Sequence, residues 1–165
     1  MKRLIAVMAA LLTILAVPTT ATAKTVRTPF TGFDTVAGAP LDNGRTWTTE
    51  DGVQHVRGMV VPYASSSNTE YYEGATTLVI NWNLDTATME GSMWGTIHLA
   101  LSTMEGGFDG TWTAKFAGPN DPWTGQGVAK GYGEAEGLLQ RYDLVSTGPW
   151  SDQVSGVLIN PGTRH

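Results

Sequence analysis

The stretch that most constrains the fold of this chain runs from Gly106 to Gly137 and holds nine of its 20 glycines. Aromatic residues alternate with these glycines, and apolar residues recur at no helical period. The aromatic residues are Trp112, Phe116, Trp123 and Tyr132. A glycine within a strand permits a bulge, a sharp bend or the close approach of another backbone, which a strand needs in order to curve around a small barrel. The stretch therefore predicts a curved antiparallel sheet that closes on itself.

The rest of the chain shows short runs of alternating apolar and polar residues that are separated by turn signals. The runs predicted as strands are 25–36, 45–49, 53–63, 70–84, 89–102, 108–117, 123–134, 138–146 and 154–160. We predict a polar loop at 64–68 and a turn at 147–152. Eight or nine strands at this spacing, with no helical segment, indicate an all-β fold. The prediction is a single antiparallel up-and-down β-barrel of about eight strands, with a β-sandwich as the alternative.

The first 23 residues have the pattern of a secretory signal peptide. Basic residues at positions 2 and 3 precede an apolar run from Leu4 to Val17, and the small residues Ala21-Thr22-Ala23 form a cleavage site. The apolar run is shorter than the roughly 20 residues that cross a bilayer as a helix. We therefore expect cleavage before Lys24, a β-barrel domain over 24–165 with no membrane span, and export to the periplasm or the outside of the cell.

Charge and cysteine content exclude several classes of function. Without the two basic residues of the signal peptide, eight Lys and Arg remain against 15 Asp and Glu, which is a net charge of −7. The basic residues are scattered singly, so a phosphate backbone would be repelled and nucleic acid is not an expected partner. The chain has no cysteine, which excludes disulfides, thiol nucleophiles and thiolate metal sites.

Familiar catalytic and metal-binding motifs are missing from the sequence. The three histidines, His55, His98 and His165, form no short-spaced pair of the kind that binds zinc. No G-x-S-x-G motif indicates a serine hydrolase. Glu134 and Glu136 share one face of a predicted strand, where carboxylates are usually solvated, whereas glycoside hydrolysis needs two carboxylates across a cleft. We therefore expect no metal, no cofactor and no evident catalytic residue.

The C-terminal half of the chain resembles a family of small β-barrels. The residues that carry the resemblance are Gly107-Phe108-Asp109-Gly110-Thr111-Trp112, Thr124-Gly125-Gln126-Gly127, Gly131-Tyr132-Gly133-Glu134, Glu136-Gly137-Leu138 and the closing run from Gly156 to Pro161. This pattern is similar to that of allene oxide cyclase-like proteins, in particular their bacterial members. It covers residues 90–161 and consists of glycines and turns, so the resemblance implies a β-barrel fold rather than an activity. Plant cyclases of this architecture act on a lipid epoxide in the barrel interior.

The six tryptophans suggest a ligand site, because a tryptophan either packs in a core or forms a platform for an apolar or ring-shaped group. Trp47, Trp123 and Trp150 are candidates for a rim at the barrel mouth. Strand alternation selects five ligand-binding candidates: His55, Arg57, Trp94, His98 and Trp112. They indicate a barrel that binds a small apolar ligand in its interior or at its mouth.

Two alternatives to a ligand-binding barrel remain open at this stage. One is a structural or surface-interaction module with a filled core. The other is a cyclase- or isomerase-like enzyme that acts on a lipid-like substrate, with His55, Arg57 and a carboxylate such as Glu136 or Asp143 transferring a proton.

Overall fold

In a computed structural model, which describes residues 24–148 and 150–162, the described chain folds into nine β-strands and one 3-10 turn. The strands are β1 (Val26–Val36), β2 (Arg45–Thr48), β3 (Val53–Ser67), β4 (Gly74–Asp85), β5 (Glu90–Leu101), β6 (Gly106–Ala117), β7 (Thr124–Gly133), β8 (Leu139–Gly148) and β9 (Ser151–Asn160). The predicted signal peptide lies outside the described residues, as does His165. Within the described ranges, no helix is both long enough and apolar enough to cross a membrane.

The strands form one antiparallel sheet that closes into an eight-stranded barrel. Each strand from β3 to β8 pairs with the next one along the chain, and β9 pairs with β1. The ring closes where β1 pairs with the second half of β3, from Gly32 opposite Ser67 to Val36 opposite Tyr63. The short strand β2 pairs with the first half of β3 and lies outside the ring as a ninth strand. The predicted all-β up-and-down barrel is therefore confirmed, and the sandwich is not formed.

Inward-facing residues alternate along the strands and form one core. On β5 the aliphatic residues Ile97, Leu99 and Leu101 are buried, and on β6 the inward residues include Phe108 and Trp112. Because side chains of a strand alternate between its two faces, the residues between them point outward. The alternation of the sequence thus determines which side chains enter the barrel.

The inward face of β7 carries the smallest side chains of the barrel, with glycine at 125, 127 and 131 and alanine at 129. A Cβ atom added to Gly127 would overlap the ring of Tyr142, and one added to Gly156 of β9 would lie 2.8 Å from the ring of Phe30. These glycines were predicted to serve strand curvature. The structure shows that they also make room for large aromatic rings inside the barrel.

Three segments differ from their predicted structure. The predicted loop at 64–68 is wrong because β3 continues to Ser67, where Ser65 is buried opposite Asp34 of β1. The predicted strand at 70–84 begins instead as a 3-10 turn over Glu70–Tyr72, which Thr69 caps through its side chain. The predicted turn at 147–152 ends early, since β9 starts at Ser151 and places Asp152 inside the barrel.

Candidate functional site

The barrel encloses a cavity of about 420 Å³. Aliphatic side chains on its wall include Leu78, Ile80, Ile97 and Leu144, and aromatic ones include Trp82, Trp112, Phe116, Trp123 and Tyr142. Pockets that hold small organic molecules typically measure about 300–1,000 Å³ and have mostly apolar walls with a few polar groups. The cavity therefore has the size and the lining of a small-molecule site.

The cavity opens at the end of the barrel where β4 joins β5, β6 joins β7 and β8 joins β9. Met89 and Trp150 line it at this end and are 39% and 46% exposed. Both residues have a positive φ, of 59° and 63°, which is uncommon for residues other than glycine and typical of tight turns. Trp123 also lines the cavity, so two of the three tryptophans predicted for a rim lie in this site.

The opposite end of the barrel is closed by the 3-10 turn between β3 and β4. Tyr72 of this turn is fully buried, and its ring stacks on Phe30 with 5.1 Å between ring centroids. Gln140 of β8 holds the turn in place, because its Nε2 donates to the carbonyl oxygen of Tyr71 over 2.6 Å. The 3-10 turn therefore closes the barrel at this end.

Two aspartates lie side by side in the wall of this pocket. Asp34 of β1 and Asp152 of β9 are paired across the two strands, and each is only 3% exposed. The carboxylate of Asp34 accepts hydrogen bonds from Ser65 Oγ over 2.6 Å and from the hydroxyl of Tyr72 over 2.8 Å. We call Asp34 and Asp152 the aspartate pair.

Burial raises the pKa of both carboxyl groups of the aspartate pair. For Asp152, burial and then the negative charge of Asp34 raise the pKa to about 8. For Asp34, burial raises the pKa, and the hydrogen bonds from Ser65 and Tyr72 act in the opposite direction. When the pair carries a single proton, the hydrogen bonds from Ser65 and Tyr72 favour the negative charge on Asp34 and the proton on Asp152.

Three polar atoms on the cavity wall are buried and have no hydrogen-bond partner among the described residues. They are Asp152 Oδ1, the hydroxyl oxygen of Tyr142 and the indole Nε1 of Trp112. Buried polar groups nearly always have a partner, and leaving one without costs about 1–3 kcal/mol. These residues of the cavity wall therefore carry hydrogen-bonding capacity that the described chain does not use.

Of the five predicted ligand-binding residues, Trp112 lies in the cavity wall. It is 4% exposed, and its Nε1 lies close to Gly95 of β5, at 3.1 Å from the position that a Cβ atom would occupy there. Glycine at position 95 thus leaves space for the indole ring.

His55, Arg57 and Trp94 come together as well, but on the outer surface of the barrel. The guanidinium carbon of Arg57 lies 4.7 Å from the ring of Trp94 and 5.4 Å from the ring of Trp47. The ring of His55 stacks on Trp47 at 4.9 Å between centroids. We call these four residues the outer cluster.

Arg57 makes its hydrogen bonds to neighbouring residues of β3 and β4. Its Nη1 donates to the carbonyl oxygens of Val56 and Trp82, each over 2.7 Å, and its Nη2 donates to Asn83 Oδ1 over 2.6 Å. The same Asn83 oxygen lies 2.7 Å from His55 Nδ1. These bonds hold the chain at the register shift that separates Val56 from Met59 in β3.

His98 lies apart from both groups, on the outer face of β5. Its Nδ1 is 2.7 Å from Asp109 Oδ1, and its ring stacks on Tyr132 at 5.4 Å. Glu136 and Asp143, the carboxylates considered for an enzyme, are exposed on the outer surface. Ligand binding by the five predicted residues stays a prediction, with only Trp112 placed in the cavity.

The aspartate pair was not among the predicted site residues, although the sequence carried a signal for it. Asp34 lies four residues after the buried Phe30, and Asp152 lies two residues before the buried Val154. A period of two therefore puts both carboxyl groups on the inward faces of their strands. Across the described residues, no group of three or more histidines and carboxylates is placed to hold a metal ion.

Comparison of the chain with protein-family models gives no match, and comparison with curated proteins gives none. Neither result bears on the resemblance of residues 90–161 to allene oxide cyclase-like proteins, which stays a prediction.

Proposed function

We propose that this protein binds a small, mostly apolar molecule inside its barrel, with a polar group of that molecule facing the aspartate pair. One observation carries the proposal: a cavity of about 420 Å³ with mostly apolar walls has the two buried carboxyl groups of the aspartate pair in its lining. Apolar contact supplies most of the affinity, at about 25 cal/mol per Å² of surface removed from water. The polar atoms supply orientation and selectivity.

The cavity favours this function over a structural module with a filled core. Small eight-stranded barrels can fill their interior with side chains alone. In this barrel the inward side chains leave a cavity of about 420 Å³ between them, lined by Leu78, Ile80 and Leu144 among others.

A matched pair of variants on β8 tests the location of the site. Leu144 lines the cavity, whereas the adjacent Val145 points outward and is 40% exposed. With 1-naphthylmethanol as the probe and titration calorimetry as the measurement, we expect Leu144→Phe to weaken binding at least tenfold because it occupies the cavity. Val145→Phe should leave the affinity unchanged. Absence of binding to the wild-type barrel, or equal effects of the two variants, would contradict the proposal.

Export is a further part of the proposal, and the basic, apolar and small-residue pattern of residues 1–23 supports it. Expression of the full chain in a bacterium, followed by mass spectrometry of the periplasmic and culture fractions, provides the test. We expect a product that begins at Lys24. An uncleaved chain confined to the cytoplasm would contradict this part.

The aspartate pair supports a second candidate, a cyclase- or isomerase-like enzyme. A carboxylic acid with a pKa of about 8 beside a carboxylate can give a proton to a bound substrate and take one back at neutral pH. The test is to incubate the protein with a panel of cyclic ketones in D2O and to measure deuterium uptake by mass spectrometry. We expect uptake with the wild type and none with Asp152→Asn. Uptake no faster than in buffer would leave binding as the function.

A further inference from the structure

We infer that the molecule bound in the cavity is a cation: a small hydrophobic amine whose ammonium group lies against the aspartate pair. This inference depends on the proposed function and specifies the chemical class of its ligand. It follows from the charge, the hydrogen-bonding capacity and the aromatic lining of the cavity.

The aspartate pair has no cationic partner in the described structure. Among the described residues that line the cavity there is no Lys, Arg or His. The ion pair found within residues 24–148 and 150–162 joins His98 to Asp109 on the outer surface. Buried carboxylates are normally paired with a cation or fully hydrogen-bonded, because burial removes their hydration. An ammonium group on the ligand would supply the missing positive charge.

The carboxyl oxygens of the aspartate pair also suit an ammonium group. Asp152 Oδ1 has no partner among the described residues, and it accepts a hydrogen bond unless it carries the proton. An ammonium group has three donors and no acceptor, so it matches these oxygens. A carboxylate on the ligand would instead place a further negative charge beside the pair.

The aromatic walls of the cavity favour the same class of ligand. The face of a tryptophan or tyrosine ring attracts a cation that lies within about 6 Å of its centre, and this cavity is lined by Trp82, Trp112 and Tyr63 among others. Asp121 lines the cavity near its entrance, and the whole chain carries a net charge of −5. This negative potential attracts cations and repels anions.

Binding of an amine would be linked to the loss of a proton. Asp152 lies beside Asp34 on β1, and the titratable groups that interact with the aspartate pair are Tyr63 on β3, Tyr72 on the 3-10 turn and Tyr142 on β8. Burial and the nearby carboxylates raise the pKa of the three tyrosines, so they keep their protons near neutral pH. Asp152 alone would release its proton when an ammonium group arrives, since a nearby cation favours the ionised carboxylate. Amine affinity should therefore rise from pH 6 to pH 8.

Three probes with the same ring system and different charge test the inference: 1-naphthylmethylamine, which is protonated at pH 7, 1-naphthylmethanol and 1-naphthoic acid. By titration calorimetry at pH 7 we expect the amine to bind at least tenfold more tightly than the alcohol, and the acid most weakly. Titrations in two buffers of different ionisation enthalpy should show the release of up to one proton per bound amine. Asp152→Asn should remove most of the preference for the amine over the alcohol, measured as the ratio of the two affinities in the same variant. The control Asp143→Asn, on the outer face of β8, should behave as the wild type.

The outcomes separate this inference from the proposed function. Binding of the alcohol with no preference for the amine would overturn the inference and leave the proposed function in place, as would an amine preference that Asp152→Asn retains. Failure of all three probes to bind would overturn both. If circular dichroism shows that Asp152→Asn is unfolded, Asp34→Asn replaces it, with the same loss of amine preference expected and the same retained preference contradicting the inference.

Discussion

In both the outer cluster and the interior cavity, tryptophans lie beside charged side chains, but the polar atoms of the two regions differ in whether they have hydrogen-bond partners. In the outer cluster the guanidinium of Arg57 donates to three oxygens and packs between Trp47 and Trp94. In the cavity, polar atoms of Asp152 and Tyr142 have no partner within the described chain. Residue types associated with function therefore do not identify a site on their own. Unused hydrogen-bonding capacity beside open space is the stronger sign.

The outer cluster is explained by the architecture of the barrel. β2 has four residues and pairs along one edge with β3, where Trp47 lies opposite His55. So short a strand is stabilised only slightly by its backbone hydrogen bonds to β3. Side-chain stacking across the strand pair adds to this stabilisation. The cluster thus fixes β2 against the barrel, and we expect its variants to affect stability rather than binding.

The largest loss of stability expected from a single substitution comes from Arg57→Met. This variant removes hydrogen bonds to Val56, Trp82 and Asn83 at the register shift in β3. Urea unfolding should show a loss of about 2–4 kcal/mol, while the affinity for 1-naphthylmethanol stays within twofold of the wild type.

Arg45→Met is the matched control for Arg57→Met. Arg45 is exposed, and its guanidinium carbon lies 5.0 Å from the ring of Trp47. Its replacement should change the free energy of unfolding by less than about 0.5 kcal/mol. A stable Arg57→Met protein that no longer binds the probe would reverse the roles assigned to the two regions.

The second effect concerns the glycines that make room in the cavity. Gly127→Ala places a Cβ atom inside the ring of Tyr142, so the ring must move, and we expect a loss of about 1–3 kcal/mol in thermal or urea unfolding. Gly38→Ala is the control, because its Cβ would meet its nearest atom, in Pro62, at an ordinary 3.8 Å. Equal stability of the two variants would show that Gly127 is not needed for the position of Tyr142.

The third effect is a pH dependence of stability that originates in the cavity. The folded-state pKa of Asp152, about 8, lies above its ordinary value of 3.8, so between these values the folded chain binds more protons than the unfolded chain. Stability should therefore fall as the pH rises from about 4 to about 8, by up to about 1.4 kcal/mol per pH unit from this group. Asp34, whose pKa is also raised, acts in the same direction.

Urea unfolding of Asp152→Asn between pH 5 and pH 8 checks this dependence. The variant should have a shallower slope than the wild type and greater stability at pH 8, because the amide cannot ionise. Asp143→Asn, with an exposed side chain on β8, should keep the slope of the wild type. A wild type whose stability rises over this range would contradict the charge assignment of the aspartate pair.

The sequence predicts the barrel well because a barrel depends on local alternation and turn chemistry. The glycine-rich strands and the buried aliphatic face of β5 could be recognised from residue spacing alone. The closure of β1 on β3 could not be recognised in this way, because it joins segments that are distant in sequence. It also buries Ser65, which lies in a stretch that the sequence indicates as a polar loop. Tyr72 likewise resembles a strand residue, and only the packing against Phe30 makes it close one end of the cavity.

The candidate site was less predictable than the fold for a related reason. Strand alternation selected Trp112, which lies in the cavity wall. It does not show which face of a strand is interior when both faces carry large side chains. Trp94 and His98 share a face of β5 that is outward, and His55 and Arg57 share the outward face of β3. Asp34 and Asp152 meet only through the pairing of the first strand with the last.

The tryptophans themselves allow the most direct test of where a ligand binds. Trp82, Trp112, Trp123 and Trp150 line the cavity, whereas Trp47 and Trp94 belong to the outer cluster. In a two-dimensional ¹H–¹⁵N spectrum, the indole N–H signals can be followed during titration with 1-naphthylmethylamine. We predict that the signals of the cavity tryptophans shift, most of all that of Trp112, and that those of Trp47 and Trp94 remain in place. Shifts confined to Trp47 and Trp94 would contradict the interior site.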